Sequence, residues 1–183
     1  MKKVMIPFLL LCVASLPLAA QPQDPQIAVQ LEAMKKVDFM VGKWKGEGWV
    51  EMPGSPRETF TQTEHVQKKL DGLALLVEGH GTSKVPGKDE EVTVFRAIGL
   101  VTYDVEGKIY RFAAGSTQGR HGYNEGRLVD GGWEWTYPVP QVGGRVRYTI
   151  KLTDKGDWHE VGEFSRDEKT WRKFHEMTLR RVE

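Results

Sequence analysis

The sequence predicts an all-β protein, a single antiparallel meander β-barrel of about ten strands with one short N-terminal helix. Turn-forming pairs such as Pro53-Gly54, Asp71-Gly72 and Glu106-Gly107 recur at intervals of roughly 10 to 20 residues. The segments between the turns are rich in Val, Ile, Thr and aromatic residues, as strands are. Only one helical segment is found, so parallel crossovers have no room. A sheet this long without helical cover closes into a barrel because closure removes its unpaired edges, and a two-sheet sandwich is the alternative.

The first twenty residues have the pattern of a secretory signal peptide. Lys2 and Lys3 are followed by an apolar stretch and by small residues that end at Ala20. We therefore expect residues 1–20 to be removed on export, which leaves a periplasmic or secreted protein. The apolar stretch is shorter than the ~20 residues of a spanning helix, so no membrane span is expected in the mature protein. Cys12, the only cysteine, leaves with the signal, which excludes disulfides and thiolate chemistry.

Residues 21–41 are predicted to form a polar lead-in and one amphipathic helix. Asp24 is placed to cap the helix and Pro25 to occupy its first position. Apolar residues then recur at helical spacing, so the helix is predicted from Pro25 to about Val37. Residues 42–183 form the predicted barrel domain, with strands at 43–52, 57–70, 73–83, 92–104, 108–115, 120–129, 132–138, 145–153, 157–165 and 170–182.

The first predicted strand opens on a G-x-W motif, Gly42-Lys43-Trp44. This motif, directly after a short helix, resembles the opening of lipocalins and their calycin relatives. In those families the Trp closes one end of the barrel, and a basic residue of the last strand packs across its ring. The resemblance implies structural roles for Gly42 and Trp44, with Arg180, or its neighbour Arg181, as the stacking residue. Such a cation–π contact contributes about 0.5–2 kcal/mol.

Longer segments carry a more particular resemblance. They are Phe39 to Trp49, Phe60 to Val66, Leu70 to Leu73 and Trp171 to Arg181. Together they resemble a family of small bacterial proteins designated domain of unknown function 1579, over nearly all of the mature chain. This likeness implies the barrel fold and no particular chemistry. A more distant resemblance is to nitrobindin-type haem-binding barrels, which also open on Gly-x-Trp and bind haem iron through a His near the last strand.

Charged residues embedded in apolar runs are candidate ligand contacts. Arg96 alternates with Val94 and Ile98, and Glu64 alternates with other residues of its own strand. A buried charge costs several kcal/mol unless it is paired, so an inward Arg96 would need a carboxylate partner or an anionic ligand. The alternatives are that Arg96 reaches solvent, or that it pairs with Glu64 or Glu78 in a purely structural ion pair.

Aromatic residues and one histidine complete the candidate site. Tyr123, Trp135 and Tyr148 are predicted either to line a cavity for an apolar ligand or to fill the barrel solidly. His175 shares a strand face with Met177 and other apolar residues. It is either a cavity residue able to bind haem iron or a core histidine hydrogen-bonded to a neighbouring Tyr or Glu.

Charge and motifs favour a binding protein over an enzyme. The net charge is +1 and falls to about −1 without Lys2 and Lys3, which argues against nucleic acid as a partner. Metal-site histidine spacings, G-x-S-x-G and P-loop motifs are absent, and no metal is predicted. We predict an exported barrel that binds a small apolar or amphipathic molecule, with or without an anionic head group. Its candidate ligand-binding residues are Glu64, Arg96, Tyr123, Trp135, Tyr148 and His175.

Two alternatives remain open at this point. One is a haem-binding barrel that uses His175, although no cofactor is the first expectation. The other is an enzyme that uses Glu64, His80, Arg96 or Tyr148. Monomer and dimer are equally compatible with the sequence.

Overall fold

The computed structural model describes residues 24–84, 87 and 90–182, so the predicted signal peptide lies outside the described residues. The first element is helix α1, Pro25–Lys35, which ends two residues before the predicted Val37. Asp24 caps it by accepting a hydrogen bond from the Gln26 backbone N–H at 2.9 Å. A short 3-10 helix, Asp38–Met40, then leads into the first strand.

Ten strands follow, and each pairs antiparallel with its neighbour in the chain. The first strand also pairs with the last, so the sheet closes into a barrel. The predicted all-β barrel is confirmed and the sandwich alternative is wrong. The strands are β1 Gly42–Val50, β2 Glu58–Lys69, β3 Ala74–Lys84, β4 Glu91–Asp104, β5 Ile109–Ser116, β6 His121–Val129, β7 Gly132–Pro138, β8 Arg145–Leu152, β9 Trp158–Ser165 and β10 Arg172–Arg181.

Trp44 and α1 close one end of the barrel, here called the closed end. The Trp44 side chain is 1% exposed, and its indole N–H donates to the Met40 carbonyl at 2.8 Å. Its ring meets the Trp158 ring edge-on at 5.7 Å between centroids. Gly42 begins β1 at φ 136°, in the backbone region that favours glycine. The largest buried apolar side chains therefore lie at this end of the barrel.

The basic residue on the Trp44 ring is Arg181, so the choice of Arg180 is wrong. The Arg181 guanidinium lies 4.1 Å from the ring centroid and donates to the Val41 and Phe39 carbonyls. Neighbouring residues on a strand face opposite sides of the sheet. Because Leu179 points inward, Arg181 lies on the same side and Arg180 is exposed on the outer surface.

Large inward side chains fit into the barrel because glycines lie beside them. A Cβ atom on Gly99 of β4 would lie 2.1 Å from the Phe112 ring, and one on Gly162 of β9 would lie 2.7 Å from the Tyr148 ring. Side chains thus occupy much of the barrel interior, as in other small barrels. The end opposite α1, here called the mouth, is formed where β1, β3, β5, β7 and β9 end.

Candidate ligand-binding site

Five polar side chains meet inside the barrel, between the closed end and the mouth. We call them the lumen cluster, which consists of Gln62, Glu64, Tyr148, Glu160 and His175. Gln62 Nε2 donates to Glu64 Oε1 at 2.7 Å. The Trp158 indole N–H donates to Glu160 Oε2 at 3.2 Å, and the other oxygen of Glu160, Oε1, lies 3.9 Å from His175 Nε2. The cluster combines carboxyl, imidazole, amide and phenol groups, and all five residues are buried or half-buried.

Burial makes the two carboxyl groups weak acids. Loss of hydration raises the pKa of Glu64 to about 7, and the Gln62 hydrogen bond offsets part of this effect. Burial and then the charge of Glu64 raise the pKa of Glu160 to about 8, against a smaller opposing effect of Trp158. Two buried carboxyls that repel each other titrate as a pair. Near neutral pH the pair therefore retains at least one proton.

His175 lies in the same space as a neutral imidazole. Burial lowers its pKa to about 4, and the nearby Glu176 carboxylate opposes this shift only in part. The ring stacks on Phe60 at 5.5 Å between centroids and meets the Tyr148 ring edge-on at 5.5 Å. Its Nε2 atom is buried and has no hydrogen-bond partner among the residues that the structure describes. An unpaired buried polar atom costs about 1–3 kcal/mol, which a suitable ligand would recover.

Aromatic rings form one wall of this space. Trp135 stacks on Tyr148, with 4.6 Å between centroids and 11° between planes, and on Tyr137 at 5.7 Å. Phe112 meets the Trp135 ring edge-on at 5.0 Å. Burial raises the pKa of Tyr148 well above its usual value, so its phenol stays protonated. Flat apolar surface thus lies directly beside the polar groups of the lumen cluster.

Four of the predicted site residues point into the barrel and two do not. Glu64, Trp135, Tyr148 and His175 face the lumen. Arg96 is exposed on the outer surface, in agreement with the alternative that it reaches solvent, so its choice as a ligand-binding residue inside the barrel is wrong. The reason is that β4 is apolar on both faces: Ala97 and Val101 point inward, whereas Ile98, on the same face as Arg96, is 53% exposed. Apolar alternation alone could not distinguish these two faces.

Tyr123 is also misplaced by the sequence prediction. It is 90% exposed on the outer face of β6, where it cannot line a cavity. The inward positions beside it are Gly122 and Asn124, and the Asn124 amide donates to the Phe112 carbonyl at 3.1 Å. His80 likewise lies outside, where its Nε2 is 3.0 Å from Thr93 Oγ1.

The four residues of the enzyme alternative therefore do not form one site. His80 and Arg96 lie opposite each other in the register of β3 and β4, on the outer surface, whereas Glu64 and Tyr148 lie inside the barrel. Sequence reasoning also missed Gln62 and Glu160. The available signal for Glu160 was its position two residues after Trp158, which places both residues on one face of β9.

Two surface cavities lie away from the lumen cluster. One of about 450 Å³ is lined by Leu31, Lys68 and Leu70, and one of about 210 Å³ by Lys108 and Leu128. Both are at the closed end. Within residues 24–84, 87 and 90–182, no three His, Cys, Asp or Glu side chains are grouped to hold a metal ion. No helix in this part of the chain is long and apolar enough to cross a membrane.

Comparison with known proteins places the fold in a class. No family model matches the chain, and no curated protein matches it. Two similar solved structures are Rv2717c from M. tuberculosis and the S-type phycobiliprotein lyase CPES from Guillardia theta. The first is 11% identical with a TM-score of 0.60, over 82% of this chain and 98% of the other. The second is 11% identical with a TM-score of 0.55, over 88% and 99%.

These similarities concern the fold. The chain has a calycin-like ten-stranded barrel, as the G-x-W resemblance implied. Membership of the domain of unknown function 1579 family stays a prediction, since no family model matches.

Proposed function

We propose that this protein, after export, binds one small, mainly apolar molecule in the barrel lumen. The ligand lies against the aromatic wall of Trp135 and Tyr148 and places a polar group at the lumen cluster. The observation that carries the proposal is the buried His175 Nε2, which has no hydrogen-bond partner within residues 24–84, 87 and 90–182 and lies 3.9 Å from Glu160 Oε1. Ser116 Oγ, on the inward face of β5, is likewise buried without a partner.

Two further points support a binding role. Ligand sites are typically apolar and aromatic with a few convergent polar groups, which is the composition of this lumen. A structural neighbour is named as an S-type phycobiliprotein lyase, and its barrel fold is compatible with binding of a small molecule. The anionic head group expected from an inward Arg96 loses its support, because that side chain is on the outer surface.

A dye-binding experiment with two alanine variants tests the proposal. Ala114 of β5 shares the inward face with Phe112, and the adjacent Ala113 faces outward. We expect Nile red to bind the wild-type protein saturably, with increased dye fluorescence. Ala114→Trp fills the lumen and should weaken this binding at least about tenfold, whereas the matched Ala113→Trp should leave it unchanged.

Two outcomes of this titration would contradict the proposal. One is that the wild-type protein does not bind Nile red. The other is that Ala113→Trp alone abolishes binding, which would place the dye on the apolar outer face of β4 that includes Ile98. Thermal melts of both variants establish that each is folded before the comparison is made.

A haem-binding role is the second candidate, and the unpartnered His175 Nε2 favours it. That Nε2 atom, however, lies 3.9 Å from Glu160 Oε1, and the imidazole is enclosed by the Phe60 and Tyr148 rings. The residues present therefore do not fit haem in this arrangement. We therefore expect that hemin added to the wild-type protein shows no Soret shift that depends on the His175 imidazole. A shift that is lost in the His175→Ala variant would establish the haem role instead.

A further inference from the structure

We propose that the ligand of the lumen is an organic cation, an amine or related nitrogen base on a flat apolar frame. Its positive charge pairs with the carboxyl groups of Glu64 and Glu160, and its N–H group donates to His175 Nε2. The inference rests on the proposed binding function and adds the chemical class of the ligand.

The first observation is that neither lumen carboxyl has a lysine or arginine partner within the described part of the chain. Among the residues the structure describes, the contacts of Glu64 and Glu160 include no lysine or arginine, and each accepts one hydrogen bond from a neutral side chain. A carboxylate can accept about four hydrogen bonds, so both groups have unused capacity. Buried carboxyls without a counter-charge are costly, and a ligand cation would supply that charge.

The second observation is independent and concerns His175. Its Nε2 is buried, has no hydrogen-bond partner among the described residues, and lies 3.9 Å from Glu160 Oε1. With the imidazole proton on Nδ1, Nε2 is an acceptor. An ammonium group placed near both side chains could donate to both. A ligand carboxylate there would instead be repelled by any ionised carboxyl of the pair, and His175 Nε2 could not donate to it. The arrangement thus discriminates by charge.

The aromatic wall favours a cation as well. The Trp135 and Tyr148 rings stack together beside the cluster, and the Phe60 ring stacks on His175. Cations are attracted to ring faces by the quadrupole of the π system, and more strongly where water is excluded. A flat amine would pack its apolar frame against the rings and place its positive charge beside the carboxyls.

Binding of such a ligand is coupled to proton release. Glu64 and Glu160 retain protons in the free protein, and a cation between them favours both carboxylates. Affinity should therefore rise as pH increases from 6 to 8, while His175 stays neutral. The titratable and charged groups that act on the cluster are Glu64, Glu160, His175, Tyr137, Tyr148, Glu176 and Arg120.

Three probes with one ring system and different charges test the inference. They are 1-naphthylmethylamine, 1-naphthylmethanol and 1-naphthoic acid, measured by isothermal titration calorimetry in two buffers of different ionisation enthalpy. At pH 8 we expect the amine to bind at least tenfold more tightly than the alcohol, and the acid to bind most weakly. The amine should bind more weakly at pH 6 and should release protons on binding.

Glutamine variants assign the effect to the carboxyls. Glu64→Gln and Glu160→Gln should remove the advantage of the amine, so that the amine and the alcohol bind each variant with similar affinity. Glu47→Gln, the same substitution on the exposed outer face of β1, is the matched control and should change nothing. If the alcohol or acid binds as tightly as the amine, the cation inference is overturned and the binding function stands. If neither these probes nor Nile red bind, the cation inference and the proposed binding function are both contradicted.

Discussion

Replacing Trp44 with alanine is expected to lower the free energy of unfolding by about 3–5 kcal/mol. The side chain is 1% exposed and packs edge-on against Trp158. The substitution also removes the indole donor to the Met40 carbonyl and the ring beneath the Arg181 guanidinium. The closed end would be left with a cavity that α1 and the barrel cannot collapse to fill.

Trp49→Ala is the matched control for this prediction. Trp49 lies on the same strand but on its outer face, half-buried, with the Arg57 guanidinium 3.7 Å from its ring centroid. Its loss should cost about 1 kcal/mol, mainly from the exposed cation–π contact. Urea unfolding followed by circular dichroism measures both variants. Equal losses of unfolding free energy in the two variants would show that Trp44 does not stabilise the closed end.

The second large effect concerns the pH dependence of stability in Glu160→Gln. The folded protein raises the pKa of Glu160 from 4.5 to about 8, so between these values it binds a proton that the unfolded chain has released. Wild-type stability contributed by this group is therefore complete below pH 4.5 and is lost as pH rises toward 8. Glutamine has no proton to lose. The variant should gain stability relative to wild type across this window, on the order of a few kcal/mol by pH 8.

Urea unfolding of both proteins at intervals from pH 4.5 to 8.5 gives the required difference curve. The pKa of His175, lowered to about 4, makes wild-type stability fall below pH 6.5, but the same change occurs in the variant and cancels in the difference. Glu47→Gln, exposed on the outer surface, should follow the wild-type curve at every pH. Parallel curves for Glu160→Gln and wild type would contradict the burial of an uncompensated carboxyl.

The strand order and boundaries followed from local sequence. Every predicted strand lies within two residues of an observed one at both ends, because Gly, Pro and Asp mark the turns between them. Inward and outward faces were harder to predict. The outer face of β4 is as apolar as its inner face, so Arg96 was assigned to the wrong side. Arg180 was chosen as the stacking residue in place of its neighbour Arg181. An error of one position along a strand moves the side chain to the opposite face of the sheet.

The residues of the lumen cluster could be predicted only in part from the sequence. Glu64 and His175 were selected because they interrupt apolar faces of their own strands. Glu160 was missed because its environment depends on a strand that is distant in the chain and not its neighbour in the sheet: its pKa is raised by the charge of Glu64 on β2. Contacts across a barrel depend on strand tilt and stagger, which local periodicity does not encode.

The most direct test of the binding site uses the six tryptophan indole N–H signals in a 1H–15N correlation spectrum. Trp44 and Trp158 report on the closed end, Trp49 and Trp171 lie near Arg57 and Arg147 on the outer surface, and Trp135 lies in the aromatic wall of the lumen. Titration with 1-naphthylmethanol, a neutral probe, should shift the Trp135 signal progressively and leave those of Trp44, Trp49 and Trp171 in place. Saturable shifts confined to Trp49 or Trp171, with Trp135 unmoved, would contradict a ligand site inside the barrel.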